Sequence, residues 1–195
     1  MVDPAVNVWG WRTLMVFVLT KFNQSGYQLN WGLSMLTPED RLEKLGLKLP
    51  QPTTLPEGLC LPFEFVNIRG DRAVFSGHPK SAMDGSIAGP FGVVGAEITT
   101  DQGYAEAREV ALTVLANLKA EIGTLSRITG WVRVFGMVTS APGYSEQHIV
   151  VNGFSDLIID VFGQDIGRHA RSAIGVSGLP LGFAMEIEGE VLITP

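Results

Sequence analysis

Apolar positions recur along this chain in two periods, and the switches between them divide residues 36–195 into elements. Thr37-Pro38-Glu39-Asp40 offers a hydroxyl for an N-cap, a proline for the first turn and two acids for the positive end of a helix dipole. A helix starts there, with Leu42 and Leu45 as its apolar edge and Gly46 as its stop. Pro50, Pro52 and Pro56 predict an extended connector. Residues 63–77 turn to period two: 65–69 and 72–76 flank Gly70-Asp71, whose leading glycine suits a two-residue hairpin turn. Residues 78–98, with Gly85, Gly89, Pro90, Gly92 and Gly95, read as a loop. No Gly-Lys-Ser/Thr follows them, so these glycines are turn chemistry and not a phosphate cradle.

The helical period returns at Thr100. Tyr104, Ala107, Ala111, Val114, Leu115, Leu118 and Ile122 make one buried stripe, and Gly123 ends it. Residues 127–138 predict a strand whose alternating sets, Trp131/Phe135/Met137 and Val132/Val134/Val138, are both apolar. Such a strand is covered on both faces, with Arg133 the exception. Ser145 opens a second long helix to about residue 162, with Gly163 beyond it and Ile149, Val150, Phe154, Leu157, Ile158 and Val161 on its core face. Strands over 173–177 and 183–193 close the chain. Hairpin, helix, strand, helix, strand, strand predicts an α+β layer with both main helices on one face of a sheet. Its other face also needs cover, which argues for an oligomer.

Residues 1–34 do not share this order. The apolar run 14–19 is shorter than the roughly 20 residues of a membrane-spanning helix. Arg12 alone precedes it, Lys21 follows it directly and no small-x-small cleavage site is evident, so it makes a poor signal peptide. We expect 1–34 to be an extension from a misassigned start, with Met35 opening a domain over 35–195. A membrane-facing or partner-binding tail is the alternative.

Composition narrows the function. With 46% hydrophobic and only 17% charged residues, the chain has apolar surface to spare for subunit contacts. A net charge of −6 gives no footprint for nucleic acid, whose phosphates need clustered Lys and Arg. Cys60, the single cysteine, allows no internal disulfide and reads as a small core hydrophobe. His78, His148 and His169 are scattered, so no metal is expected. No nucleophile-elbow motif appears. A cytoplasmic location is the natural expectation, with neither membrane nor nucleic acid as partner.

The candidate chemistry lies near the C-terminus. Glu186, Glu188 and Glu190 share one strand face by period two, either as a solvated edge or with one carboxylate orienting water. Arg168 and Arg171 are surface ion-pair partners or a fork for a substrate carboxylate. An arginine and a carboxylate on adjacent strands could grip a small anion. Asn152, mid-helix, needs a polar partner or a packing reason, because asparagine is a poor helix-interior residue.

Arg171-Ser172-Ala173-x-x-Val176-x-x-Leu179-Pro180, followed by Met185-Glu186-Ile187-Glu188, resembles the closing signature of the Rid (YjgF/L-PSP) family. Phe75-Ser76-Gly77 and Val151-Asn152-Gly153 resemble two further landmarks in the same order. The run Gly167–Ala173 is similar to the chorismate-mutase-like branch, and the likeness covers about residues 36–194. It implies a chorismate-mutase-like fold of the Bacillus type, a homotrimer and clefts between neighbouring subunits. It further implies cofactor-free hydrolysis of enamine or imine intermediates, such as 2-aminoacrylate, to 2-keto acid and ammonia. Carried over residue by residue, Arg171 binds the substrate carboxylate and Glu186 activates water. Ser76, Asn152, Ser172 and Ala173 line the cleft, joined by Phe63.

Two departures bear on this. Phe63 stands where the active branch usually has an aromatic hydroxyl, and Ala173 where it often has cysteine. They keep open a non-catalytic trimer that binds a small carboxylate metabolite or a partner protein. An endoribonuclease role attaches to the family by name, and chorismate mutase activity would be an analogy of fold alone.

Overall fold

A computed structural model describes residues 36–55, 58 and 60–194. The expectations for residues 1–34 lie outside the described residues. Helix α1 (Pro38–Lys44) opens with a reciprocal cap: the Thr37 hydroxyl accepts the Asp40 N–H at 3.1 Å, and the Asp40 carboxylate accepts the Thr37 N–H at 2.9 Å. β1 (Val66–Arg69) and β2 (Arg72–His78) form the expected hairpin. Gly70 sits at φ 62° in its turn, where a side chain would be strained. The stretch read as a loop carries a small two-stranded sheet of its own, β3 (Lys80–Ser81) and β4 (Ile87–Gly89).

Helix α2 (Thr100–Ile122) has Thr99 as N-cap, with Gln102 closing the box, and Gly123 follows as predicted. β5 (Ile128–Thr139) leads into α3 (Gln147–Gly167), whose cap residue is Glu146 and not Ser145. Gly163 breaks α3 at φ 79°, but a further turn continues to Gly167. β6 (Ala170–Val176) and β7 (Met185–Ile193) complete the main sheet. β6 therefore starts three residues earlier than the pattern from Ala173 suggested, which places Arg171 on the strand.

The main sheet runs β1-β2-β7-β5-β6. Only β5 and β6 are parallel, as a connection through α3 allows. β5 lies between β6 and β7, so the arginine and the carboxylate are not on adjacent strands. Helices α2 and α3 cover one face, over a core that includes Phe75, Val114, Leu118, Val134, Val138, Phe154, Leu157, Ile187 and Val191. The two helices approach closely at glycine: a Cβ on Gly153 would lie 2.0 Å from the Tyr104 carbonyl oxygen. Gly136 seats α3 on the sheet in the same way, beneath Val151.

Simple alternation failed at Trp131. The strand β5 carries an extra residue between Trp131, paired with Val191, and Arg133, paired with Glu190. This bulge shifts the parity. Trp131 turns into the helix-side core, edge-on to Phe75, Phe154 and Phe162 at 5.7–5.8 Å, while Phe135 and Met137 face the other way. That opposite face is open in the single chain and mixes Phe135, Met137, Val74 and Ile174 with Glu186, Glu188 and Glu190. Cys60 is exposed, not buried, because it lies in the connector before β1. Among the described residues no helix is long and apolar enough to cross a membrane.

Candidate functional site

His148, Asn152 and Ser155 fall at helical spacing on the face of α3 that looks onto β6. All three hold Arg171. Its Nη2 donates to the His148 carbonyl at 3.1 Å and to Asn152 Oδ1 at 2.9 Å, and its Nη1 donates to Ser155 Oγ at 2.9 Å. Asn152 thus has the polar partner its helix position demanded, and Gly153 beside it supplies the close packing. The chain of contacts continues outward. The Gly167 carbonyl can only accept, so His169 donates to it from Nδ1 at 2.8 Å. His169 Nε2 then accepts the Ser155 hydroxyl at 3.0 Å. Burial lowers the His169 pKa, the Gly167 hydrogen bond opposes this, and the Arg171 charge lowers it further. The ring is neutral near pH 7.

Asn152, Ser155, Ile159, Arg168, His169 and Arg171 line a cavity of about 200 Å³. Burial pulls the Arg171 pKa down and the Asp156 carboxylate draws it back up. Among the described residues neither Arg168 nor Arg171 forms a salt bridge. Asp156 instead accepts the Tyr104 hydroxyl at 2.9 Å.

Glu186 belongs to a second group. Its cross-strand neighbour is Met137, on the open face, while Arg171 pairs with Val134 on the helix side. The two lie about 10 Å apart along the strands and about 10 Å across the sheet, and they point to opposite faces. Beside Glu186 is Gly77, where a Cβ would come 2.9 Å from the carboxylate Oε2. Gly77 leaves the room that this carboxylate occupies. Burial raises the Glu186 pKa, and Glu188 raises it further.

Ser76 lies on the same hairpin and donates to the Glu64 carbonyl at 2.7 Å. Together with Phe63, Glu64, Asn67 and Arg69 it lines an open depression of about 720 Å³. Phe63 is 52% exposed and meets Phe65 edge-on at 6.3 Å. Ser172 is exposed and pairs with Phe135, so it faces away from Arg171. Ala173 shares the Arg171 face and packs against the core.

The predicted residues therefore divide between two faces of the sheet: Arg171, Asn152 and Ala173 on the helix side, and Glu186, Ser76, Phe63 and Ser172 toward the open side, where Ser172 on β6 is three strands from Ser76 on β2. Sequence reasoning assigned no role to Ser155, His169 or Gly77, and left Arg168 open as a surface ion-pair partner or a carboxylate fork. Two of these carried a signal. Ser155 is one helical turn from the anomalous Asn152, and His169 is two residues before Arg171 on the same strand parity.

Residues 39–185 match the family model described as "YjgF/chorismate_mutase-like, putative endoribonuclease". Protein TCP17 of Trypanosoma cruzi is 37% identical over 154 residues, spanning 77% of this chain and 90% of that protein. The crystal structure of Atu1372 from Agrobacterium tumefaciens, a protein of unknown function, superposes with a TM-score of 0.69 at 35% identity, covering 80% of this chain and 92% of the other. A Shewanella oneidensis protein described as a "putative endoribonuclease" gives 0.72 at 30% identity, covering 80% and 99%. By this match and these likenesses, the chain belongs to the YjgF/chorismate-mutase-like family.

Proposed function

We propose that this protein hydrolyses small 2-imino acids and their enamine tautomers to 2-keto acids and ammonia, without a cofactor, at clefts between the subunits of a homotrimer. The observation that carries the reading is an arginine with no carboxylate partner among the described residues, braced by three groups of α3 and lining a small cavity. Arg171 would take the substrate carboxylate, exchanging one of its α3 contacts for the ligand. Glu186, its pKa raised by burial, would accept a proton from water as the water oxygen attacks the iminium carbon. The C=N electron pair moves to nitrogen, giving a carbinolamine. Glu186 would return its proton to that nitrogen, and the C–N bond would break with loss of ammonia as the oxygen lone pair forms C=O and the hydroxyl proton passes to solvent.

Within one chain Arg171 and Glu186 face opposite sides of the sheet, so a cleft that uses both needs a neighbouring subunit. The apolar residues on the open face, Val74, Phe135, Met137 and Ile174, support that assembly. A cytoplasmic setting, where reactive imines would be released, suits the reaction.

The test couples an amino-acid oxidase, which generates imino acid, to ammonia detection. We expect faster ammonia release with this protein, lowered about 10²–10⁴-fold in Glu186→Gln and abolished in Arg171→Ala. No acceleration by the intact protein refutes the proposal. A non-catalytic carboxylate binder is the second reading, favoured by Phe63 and Ala173, which bring no polar group to either half-site. Binding of 2-keto acids that is lost in Arg171→Ala, with no turnover, would establish it. Against ribonuclease action stand the net charge of −6 and the carboxylates on the open face.

A further inference from the structure

Arg168 and Arg171 line one cavity, together with Asn152, Ser155, Ile159 and His169, and no carboxylate contributes to its wall. In a chain with 20 acidic and 14 basic residues this is a local reversal of sign. Two guanidinium groups around one small space repel each other unless an anion lies between them. Among the described residues neither forms an ion pair, since those found use other basic groups, Arg72, Lys80, Arg108 and Lys119, and the Asp156 carboxylate that acts on Arg171 from outside the cavity wall accepts the Tyr104 hydroxyl. His169 adds no charge, because its Nδ1–H is committed to the Gly167 carbonyl and its Nε2 to the Ser155 hydroxyl. The charged groups that line the cavity are therefore both positive.

The two cations also differ in freedom. Arg171 is fixed by His148, Asn152 and Ser155. Arg168 is exposed, at the C-cap of α3, free to close on whatever enters. A helix C-terminus favours a cation on its own account, which explains an arginine at the cap. It does not explain why the side chain borders the Arg171 cavity. The volume, about 200 Å³, is below the roughly 300–1,000 Å³ of drug-sized ligand pockets. A cavity of that size suits a small metabolite.

We infer that the ligand at Arg171 is a dicarboxylate: a four- or five-carbon 2-imino acid, or its 2-keto product, with a second carboxylate at the far end. Arg171 holds the carboxylate next to the imine carbon, and Arg168 closes on the distal one. This inference rests on the carboxylate-binding role proposed above for Arg171, and it names the substrate class that the site prefers.

Calorimetry with 2-keto acids tests it, comparing 2-oxoglutarate and freshly dissolved oxaloacetate with 2-oxopentanoate and 2-oxobutanoate on the full chain. We expect the diacids to bind at least about fivefold more tightly than the monoacids of equal length. Arg168→Gln should bring the ratio close to one, because diacid affinity falls severalfold more than monoacid affinity, while the far-ultraviolet circular dichroism stays that of the unaltered fold. Equal affinity for the two classes in the unaltered protein overturns the inference, as does a diacid preference that survives Arg168→Gln. Equal loss for both classes in Arg168→Gln also overturns it, since that marks a structural role. If no keto acid binds, the ammonia-release assay separates the two ideas. Turnover of monocarboxylic imines at least as fast as dicarboxylic ones sinks only the dicarboxylate preference, and no turnover of either sinks the Arg171 reading with it.

Discussion

In Gly153→Ala the new methyl would stand 2.0 Å from the Tyr104 carbonyl oxygen, where real Cβ atoms come no closer than 3.0 Å. The obstacle is backbone, which cannot rotate aside as a side chain can. α2 and α3 must therefore part by at least about 1 Å in a close-packed interior. Overpacking of this kind costs about 1–3 kcal/mol, and a backbone clash belongs at the upper end. Alanine returns about 1 kcal/mol through better helix propensity, leaving a net loss of about 2 kcal/mol. For a chain of this size that lowers Tm by roughly 4–8 °C.

Two further glycines calibrate the reasoning. Gly178→Ala meets nothing within 4 Å and should be neutral. Gly103→Ala meets only the Val150 methyls at 3.1–3.2 Å, which can yield, so strain and propensity should nearly cancel. The assay is urea unfolding followed by far-ultraviolet circular dichroism on all three variants. Because Asn152 adjoins Gly153 and holds Arg171, Gly153→Ala should also weaken 2-keto acid binding. Gly153→Ala as stable as Gly178→Ala would refute the account of the α2–α3 approach.

Other predictions concern buried polar groups. His78, fully buried, donates from Nδ1 to the Ser76 carbonyl, and burial pushes its pKa down to about 4, against a smaller upward pull from that bond. Between pH 6.5 and about 4 the unfolded chain binds the proton that the folded chain refuses, so stability should fall as pH drops through that window, by up to about 3 kcal/mol from this residue. His78→Phe should remove that component from a pH series of urea midpoints, and an unchanged slope would count against it. Glu186 has the opposite sign. Its raised pKa makes it destabilising once it ionises, so Glu186→Gln should raise Tm at pH 7 and leave it nearly unchanged at pH 4. A loss of stability at pH 7 would contradict the burial account. Asn117 accepts the Thr53 N–H at 3.0 Å and donates to the Thr53 hydroxyl at 2.8 Å. Asn117→Leu should cost about 1–3 kcal/mol in urea unfolding by stranding the connector's polar groups.

Period and punctuation located most of the elements. Thr37, Gly46, Gly70-Asp71 and Gly123 act through local backbone chemistry, which a sequence displays directly. Trp131 was misplaced because a bulge is a property of two paired strands, and nothing in residues 128–135 alone announces it. The same limit applied to the site. Arg171 and Asn152 stood out, one by its family motif and one as an anomaly in a helix. Ser155 and His169 are ordinary polar residues until α3 is laid along β6. The opposite facing of Arg171 and Glu186 depends on β5 lying between their strands, a matter of strand order. Cys60 was read from residue-type statistics, which say nothing about the exposed connector it occupies.

That opposite facing has a consequence for inheritance. A chain damaged at Arg171 keeps an intact Glu186 half-site, and a chain damaged at Glu186 keeps an intact Arg171 half-site. Under the proposed trimer, two alleles that are each inactive alone complement one another when expressed together. With random mixing in equal amounts, about one cleft in four draws both sound halves. A cell carrying both mutations in separate gene copies recovers activity, whereas one carrying both in a single copy, beside an empty locus, recovers none.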